Sequence, residues 1–177
     1  MVYEEFGLIK RSPTVGGYFF SHDYIEFLQK FNEIIYQKIE FIELNESKHR
    51  EWIIQNNNQD CPIGKLGDVE FVFVHYKSKN EAFDKWIRRV ERINFDNLVF
   101  KYSMQNHASY EDLLAFDEME LPGKKIMFVN KPNMGFKSGT YYHGFENDDQ
   151  VYNDTYLGTR HFDMISFFNE GKKLSWK

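Results

Sequence analysis

The chain has 177 residues, 18% of them aromatic, and a formal net charge of -5 at pH 7. A chain of this length with so many large rings can bury a substantial core, which excludes an intrinsically disordered segment. Its acidic balance, with both signs of charge interspersed, argues against nucleic acid as a partner, because nucleic-acid binding needs a basic face.

The elements that the sequence predicts alternate between short β-rich segments and helical patterns. In chain order they are a strand ending at 20, a helix over 24–35, a strand over 39–44, a short helix around 52–54, a strand over 69–74, a helix over 78–93, a strand over 97–102, a helix over 109–119, a strand over 125–129, a strand over 139–144 and a helix over 162–169. Ser21, Ser78 and Ser109 lie at or just before the starts of three of these helices and are predicted to cap them.

This order of elements predicts the fold class. Residues 69–74 are mostly apolar on both faces, as expected of a buried parallel strand. Strands that alternate with helices typically form a parallel sheet covered by helices. We therefore predict a single α/β domain over residues 1–177, with three layers and a mostly parallel sheet flanked by helices. Residues 64–67, which precede their strand and lack a Gly-Lys-Ser/Thr sequence, are predicted to form a turn and not a phosphate loop.

Other features limit the chemistry and the compartment. Cys61 is the single cysteine, so neither a disulfide framework nor a thiolate zinc site can form within the chain. The oxygen donors Asn147, Asp148 and Asp149 lack the order of a calcium loop, and no metal and no cofactor are predicted. The apolar runs are far shorter than the roughly 20 residues that cross a membrane. With no recognisable secretory signal, these features predict a cytoplasmic protein without a membrane span.

Several blocks of the sequence carry a family resemblance. They are residues 12–16, 23–28, 62–68 and 74–78, then Ala82, Lys85, Trp86, Arg88, Arg89, 92–94 and 96–98, and finally 116–117, 130–132, 137–138 and 144–145. Together they resemble a bacterial family of unknown function, domain of unknown function 1919, found among exopolysaccharide and capsule biosynthesis proteins. The resemblance implies a three-layer α/β fold and a role in surface-polysaccharide synthesis.

The chain departs from the family pattern at two places. Longer members begin with an additional strand that is not found ahead of the first block here. After the third strand, relatives tend to carry an acidic residue before Gln-Asn or Arg-Asp, whereas this chain has Met104 before Gln105 and Asn106. If that acid is catalytic in the relatives, the resemblance implies that this chain is inactive.

Polar side chains follow four of the predicted strands. Because the carboxyl ends of parallel strands meet at one edge, where ligands bind, we predict a site there. His75 is the predicted catalytic group, since an imidazole exchanges a proton near neutral pH. The predicted substrate-binding residues are His22, Asp23, Lys77, Ser78, Gln105, Asn106, His107, Asn130 and Lys131. Imidazoles, amides and lysines suit a sugar or a phosphosugar, although the same residues are also ordinary helix caps and loop polars.

Two further patterns are weaker. His22 and Asp23 resemble a base with an orienting carboxylate, but adjacent side chains rarely face each other. The spacing of His107 and Asp112 is that of certain acyltransferases, but a single pair at this spacing recurs by chance.

The leading functional hypothesis is a surface-polysaccharide biosynthesis protein that acts on a sugar or phosphosugar, with transferase as the reaction class considered. Whether the chain is an enzyme stays open. The alternative is a non-catalytic module of the same pathway that binds a glycan or a partner protein. A third hypothesis, an interaction protein without a small ligand, would require a broad exposed aromatic patch.

Overall fold

The computed structural model describes residues 7, 9–152, 154 and 162–169. The strands are β1 (Tyr18–Phe19), β2 (Glu40–Ile42), β3 (Ile63–Leu66), β4 (Val69–Val72), β5 (Leu98–Ser103), β6 (Gly123–Val129) and β7 (Gly139–Tyr141). The helices are α1 (Ser21–Gln29), α2 (Phe31–Ile34), α3 (Arg50–Gln55), α4 (Lys79–Val90), α5 (Tyr110–Glu118) and α6 (Met164–Asn169), with short 3-10 turns at Leu44–Glu46 and Phe95–Asn97.

The strands form two sheets. One sheet has the order β1-β4-β3-β2, with every neighbouring pair antiparallel, and the other has the order β5-β6-β7, with both pairs parallel. The predicted α/β class is therefore confirmed, whereas the three-layer, mostly parallel sheet is not. Parallel pairing is restricted to the second sheet, where α5 connects β5 to β6 in the order that this motif requires.

The prediction that β4 is a parallel strand is wrong. β4 forms a hairpin with β3, and Gly67, with φ of +61°, occupies the connection. Residues 63–66 are thus a strand where a turn was predicted over 64–67. The apolar sequence of β4 has another cause: Phe71 packs in the main core and Val72 in a second cluster on the opposite face. A strand that is buried on both faces reads as apolar whichever way it runs.

The main core joins the two sheets. It contains Phe71 of β4, Trp86 of α4, Phe116 of α5 and Met127 of β6, all at most 1% exposed. α1 packs against both β4 and α5, so it lies between the antiparallel and the parallel parts of the fold. Among the described residues, no helix has both the length and the apolarity to cross a membrane.

The three predicted caps have different outcomes. Ser109 forms a capping box with Asp112, in which each side chain accepts the backbone amide of the other residue at 3.0 and 3.2 Å. Ser78 accepts the amide of Glu81 at 3.2 Å, but the Glu81 carboxylate accepts the amide of Lys77. Ser21 is not a cap: it lies inside the first turn of α1, and Phe20 occupies the N-cap position.

The buried carboxylate of Asp117, at the end of α5, holds the segment that leads into β7. It accepts hydrogen bonds from the amide of Lys137 at 2.9 Å and from the amide and the hydroxyl of Ser138 at 2.7 and 2.6 Å. Burial acts to raise the pKa of Asp117, but these three donors together hold that pKa below the ordinary value of an aspartate.

Asp117→Asn is expected to lower the free energy of unfolding at neutral pH by about 1–2 kcal/mol, because the side-chain amide cannot accept on both sides and the backbone amide of Lys137 or Ser138 loses its partner. A lowered carboxyl pKa stabilises the fold above the unfolded pKa, about 3.9, and this contribution is lost as the pH falls through the folded value. The difference between variant and wild type should therefore shrink below about pH 4. Urea denaturation from pH 3 to pH 7 measures this difference in the free energy of unfolding. Asp84→Asn, at an exposed position, is the control. A difference that does not vary with pH would contradict the prediction.

Candidate functional site

The start of α1 meets the loop that follows β5. The amide of Ser21 donates to the Asn106 carbonyl at 3.0 Å, and Asn106 Nδ2 donates to the Phe19 carbonyl at 3.1 Å. The Asn106 amide donates to Gln150 Oε1 at 3.2 Å. Asn106 and His107 both have left-handed backbone conformations, with φ of +54° and +65°. Such conformations are uncommon for residues other than glycine, so tertiary contacts hold this loop in place.

A chain of hydrogen bonds beneath this contact ends on the carboxylate of Asp112. Ser21 Oγ donates to Asp112 Oδ2 at 2.7 Å and shares a short hydrogen bond with the Tyr102 hydroxyl. Burial raises the pKa of Tyr102, and the charge of Asp112 raises it further, although the bond to Ser21 opposes the shift. Tyr102 therefore stays protonated. Since the single proton of Ser21 goes to Asp112, Tyr102 is the donor to Ser21.

The buried carboxylate of Asp112 lies next to an exposed imidazole. His22 Nδ1 is 3.5 Å from Asp112 Oδ1, and the two side chains are 81% and 9% exposed. The other carboxylate oxygen accepts from Ser21 and from the Ser109 amide. Asp112 is thus held from the protein side and faces the His22 ring with its free oxygen. An imidazole with a carboxylate at one nitrogen and solvent at the other is suited to general acid–base catalysis.

Trp52 of α3 extends this surface. Its ring contacts that of His107, with centroids 4.0 Å apart and planes inclined at 56°. Among the described residues, no side chain caps the first turn of α1, and the Ser21 amide at its start donates to the carbonyl of Asn106, the residue before His107. We call this surface the α1 rim, and it comprises Ser21, His22, Trp52, Asn106, His107 and Asp112.

Asp23 points away from His22 into the interior. It is fully buried, and its carboxylate contacts Lys48 Nζ and His49 Nε2, each at 2.5 Å. The carboxylate partner of His22 is Asp112, so the pairing of His22 with Asp23 is wrong. The spacing of His107 and Asp112 does not bring those two side chains together either. Asp112 contacts His22 and Ser109, and the His107 ring contacts Trp52.

The predicted catalytic residue lies at the other end of the first sheet. The amide of His75 donates to the carbonyl of Gly16, ahead of β1, whereas the α1 rim follows β1. β1 and β4 are antiparallel, so their carboxyl ends point in opposite directions. His75, Lys77 and Ser78 are exposed there, and the prediction that they share one edge with His22 and Asn106 is wrong.

The remaining predicted residues do share the edge of the parallel sheet. β5 and β6 are parallel, with Ser103 opposite Phe128. Gln105 and Asn106, which follow β5, therefore lie at the same edge of the sheet as Asn130 and Lys131, which follow β6. Lys131 is exposed and Gln105 half-buried. Asn130 is only 1% exposed, and its Nδ2 donates to the Asp148 carbonyl at 2.5 Å. Asn130 therefore holds the neighbouring loop and does not face solvent.

Three blocks of the family resemblance contact one another beside His75. Arg89 Nη1 donates to the Val15 carbonyl at 2.7 Å and to the Tyr76 hydroxyl, which itself donates to the Val15 carbonyl at 2.5 Å. A Cβ on Gly16 would lie 2.9 Å from the Tyr76 ring. These residues hold the segment ahead of β1 in position, which is a structural role.

Sequence reasoning missed several members of the site. Trp52 was assigned only to a short helix, and Tyr102 and Gln150 carried no predicted role. His49 and Lys48, which surround Asp23, follow no recognisable motif. Within the described ranges, no group of three or more His, Cys, Asp or Glu side chains is placed to hold a metal ion.

Comparisons with known proteins identify the family. The model of the family described as "Domain of unknown function (DUF1919)" matches residues 1–170. The chain is also similar to an uncharacterized protein of Haemophilus influenzae (strain ATCC 51907 / DSM 11121 / KW20 / Rd), with 32% identity over 140 residues. That match covers 79% of this chain and 61% of the relative's length. The chain therefore belongs to the DUF1919 family.

Proposed function

We propose that this member of the DUF1919 family acts on a sugar or phosphosugar in the cytoplasmic synthesis of surface polysaccharide, and that the reaction is a transfer at the α1 rim. The resemblance to a family of unknown function found among polysaccharide biosynthesis proteins supports the substrate class. The observation that carries the choice of site is the exposed His22 imidazole beside the buried, doubly hydrogen-bonded carboxylate of Asp112.

Each residue of the pair has a distinct role in this proposal. His22 accepts the proton of the attacking hydroxyl through its solvent-facing nitrogen, because Asp112 lies at Nδ1. The hydroxyl oxygen bonds to the anomeric carbon of a sugar phosphate or nucleotide sugar while the bond from that carbon to the phosphate oxygen breaks, and the phosphate or nucleotide leaves as the anion. Asp112 is a positioning residue that fixes the imidazole and stabilises the imidazolium formed during the transfer. Of the first three amides of α1, that of Ser21 donates to the Asn106 carbonyl and that of Asp23 belongs to a fully buried residue, so the amide of His22 provides the donor for a phosphate or a hydroxyl group.

His22→Ala is expected to lower turnover by about 100-fold, the ordinary contribution of one acid–base group. Its effect on stability should be small, because the side chain is 81% exposed. The measurement is product formation, followed by mass spectrometry, from a panel of nucleotide sugars and sugar phosphates. His75→Ala is the matched control, since His75 is also exposed but has no such carboxylate contact among the described residues. A full loss at His75 with none at His22 would instead support the sequence-based prediction.

Asp112→Asn separates positioning from binding. The variant keeps the shape of the side chain but removes the charge that faces His22, so kcat should fall with KM nearly unchanged, and the pH profile of kcat should shift. A rise in KM as large as the expected fall in kcat, with kcat itself unchanged, would show that Asp112 only shapes the binding surface.

The second candidate function is a non-catalytic module that binds a glycan or a partner protein of the same pathway. The aromatic contact between Trp52 and His107 favours it, because an aromatic surface binds ligands without requiring a reaction. A saturating thermal shift with sugar phosphates, without product from any donor, would select this function over the transferase.

A further inference from the structure

Trp52 and His107 form an angled aromatic pair at the edge of the α1 rim. Trp52 is half-buried and packs against the cluster that contains Phe20 and Ile53, so the protein anchors its ring. His107 is exposed. An inclination of 56° at a separation of 4.0 Å leaves neither ring face stacked flat against the other.

The backbone beneath His107 is held in an unfavourable conformation. Two consecutive residues, Asn106 and His107, have positive φ, which is uncommon in L-amino acids, although asparagine and histidine adopt it more readily than most residues. Three hydrogen bonds of Asn106, to Phe19, Ser21 and Gln150, impose this conformation. Strain of this kind that the surrounding structure enforces is characteristic of ligand-binding surfaces.

The aromatic pair is continuous with the His22–Asp112 pair. Asn106 bonds directly to Ser21, the residue before His22, and His107 follows Asn106 in the chain. A ligand that contacts Trp52 and His107 is therefore next to the first turn of α1, where His22 is exposed and offers a donor to an anionic group.

The geometry points to Trp52 and His107 as the subsite that binds the ring of a hexopyranose 1-phosphate. This inference rests on the proposed function and specifies its substrate class. Hexopyranoses present a face of C–H groups that packs on aromatic rings, while their hydroxyl groups stay available for polar partners. The His107 ring nitrogens supply such partners. The phosphate group, at the other end of the ligand, then lies toward the start of α1.

The test compares ligands with and without a sugar ring by isothermal titration calorimetry. The probes are glucose, galactose and mannose 1-phosphates, with glycerol 3-phosphate as a phosphate monoester that has no ring. Trp52→Ala should weaken binding of the preferred hexose phosphate by about tenfold, the size of a typical aromatic anchor, and leave glycerol 3-phosphate unchanged. Trp52→Phe should retain most of the affinity. Ile54→Ala, at a position 42% exposed on the same helix, is the control and should change neither ligand.

The outcomes distinguish the subsite from the proposed function. If hexose phosphates bind no better than glycerol 3-phosphate, or if Trp52→Ala weakens both equally, the aromatic subsite is overturned while binding of a phosphate ester stands. If the wild-type protein binds none of the probes, phosphosugar recognition itself is overturned, and the subsite with it.

Discussion

Asp23→Ala is expected to lower the free energy of unfolding by about 3 kcal/mol, because it removes a buried carboxylate that both Lys48 and His49 contact. Asp23 has no exposed surface, and both carboxylate oxygens are in use, by Lys48 and by His49 at 2.5 Å. The Lys48 ammonium keeps only its bond to the Asp68 carbonyl, at 2.8 Å. A cavity in place of the carboxylate adds to the loss.

Urea denaturation followed by circular dichroism measures this difference. Asp68→Ala is the matched control, since the Asp68 side chain is 88% exposed and its ion pair with Lys65 spans 3.7 Å; we expect a change below about 0.5 kcal/mol. Adding Lys48→Met to Asp23→Ala should recover part of the loss by removing the unpaired ammonium, which a double-mutant cycle quantifies. Equal effects at positions 23 and 68 would show that the buried pairs contribute nothing beyond surface charge.

A second buried carboxylate holds the same segment. Glu70 of β4, 2% exposed, accepts from the Ser47 hydroxyl at 2.5 Å and from the Lys48 amide at 3.1 Å. Asp23 and Glu70 thus hold residues 47–49 against α1 and the first sheet. This segment leads directly into α3, which carries Trp52. Loss of either carboxylate is therefore expected to disturb the aromatic side of the α1 rim as well as the stability of the fold.

The helices of the fold could be predicted from local signals more fully than the sheets. Ser109 with Asp112 and Ser78 with Glu81 follow the spacing at which side chains satisfy free amides at a helix start, and α5 and α4 begin there. Strand direction has no such local signal. Gly64 was assigned to a turn, but it lies inside β3, where a Cβ would be 2.5 Å from Ile39. The side chains of Ile39 and Phe73 leave little room for a Cβ at this position, and only the tertiary structure shows that.

The candidate site was predictable only where it depends on the parallel strands. Asn106 and Lys131 follow β5 and β6 at one edge, as the βαβ order implies. The His22–Asp112 pair joins residues that are far apart in the sequence and lie on two helices. No spacing rule predicts such a contact. His75 does not lie with them, because β4 runs antiparallel to β1. The carboxyl end of β4, which His75 follows, is therefore at the opposite end of the sheet from His22.

Gly17 is the position at which a small substitution should have a large effect on the fold. An added Cβ would lie 2.4 Å from two ring carbons of Phe71 and 2.4 Å from the carbonyl oxygen of Val72. The ring could rotate, but the carbonyl belongs to β4, which pairs with β1 in the register Tyr18 opposite Val72. Relief of this overlap therefore requires β1 to move away from its neighbour.

Gly17→Ala is expected to lower the free energy of unfolding by about 3 kcal/mol or more, since overpacking against backbone cannot be relieved by a rotamer change. Gly144→Ala is the control for conformation alone: its φ is +96° but no atom lies within 4 Å of the added carbon, so about 1 kcal/mol is expected. Phe71→Leu in the Gly17→Ala background should not restore stability, because the overlap with Val72 persists. If it does restore stability, the ring and not the β1–β4 pairing sets the requirement for glycine. Because β1 leads directly into α1, displacement of this strand should also separate Ser21 from Asn106 and weaken ligand binding at the α1 rim.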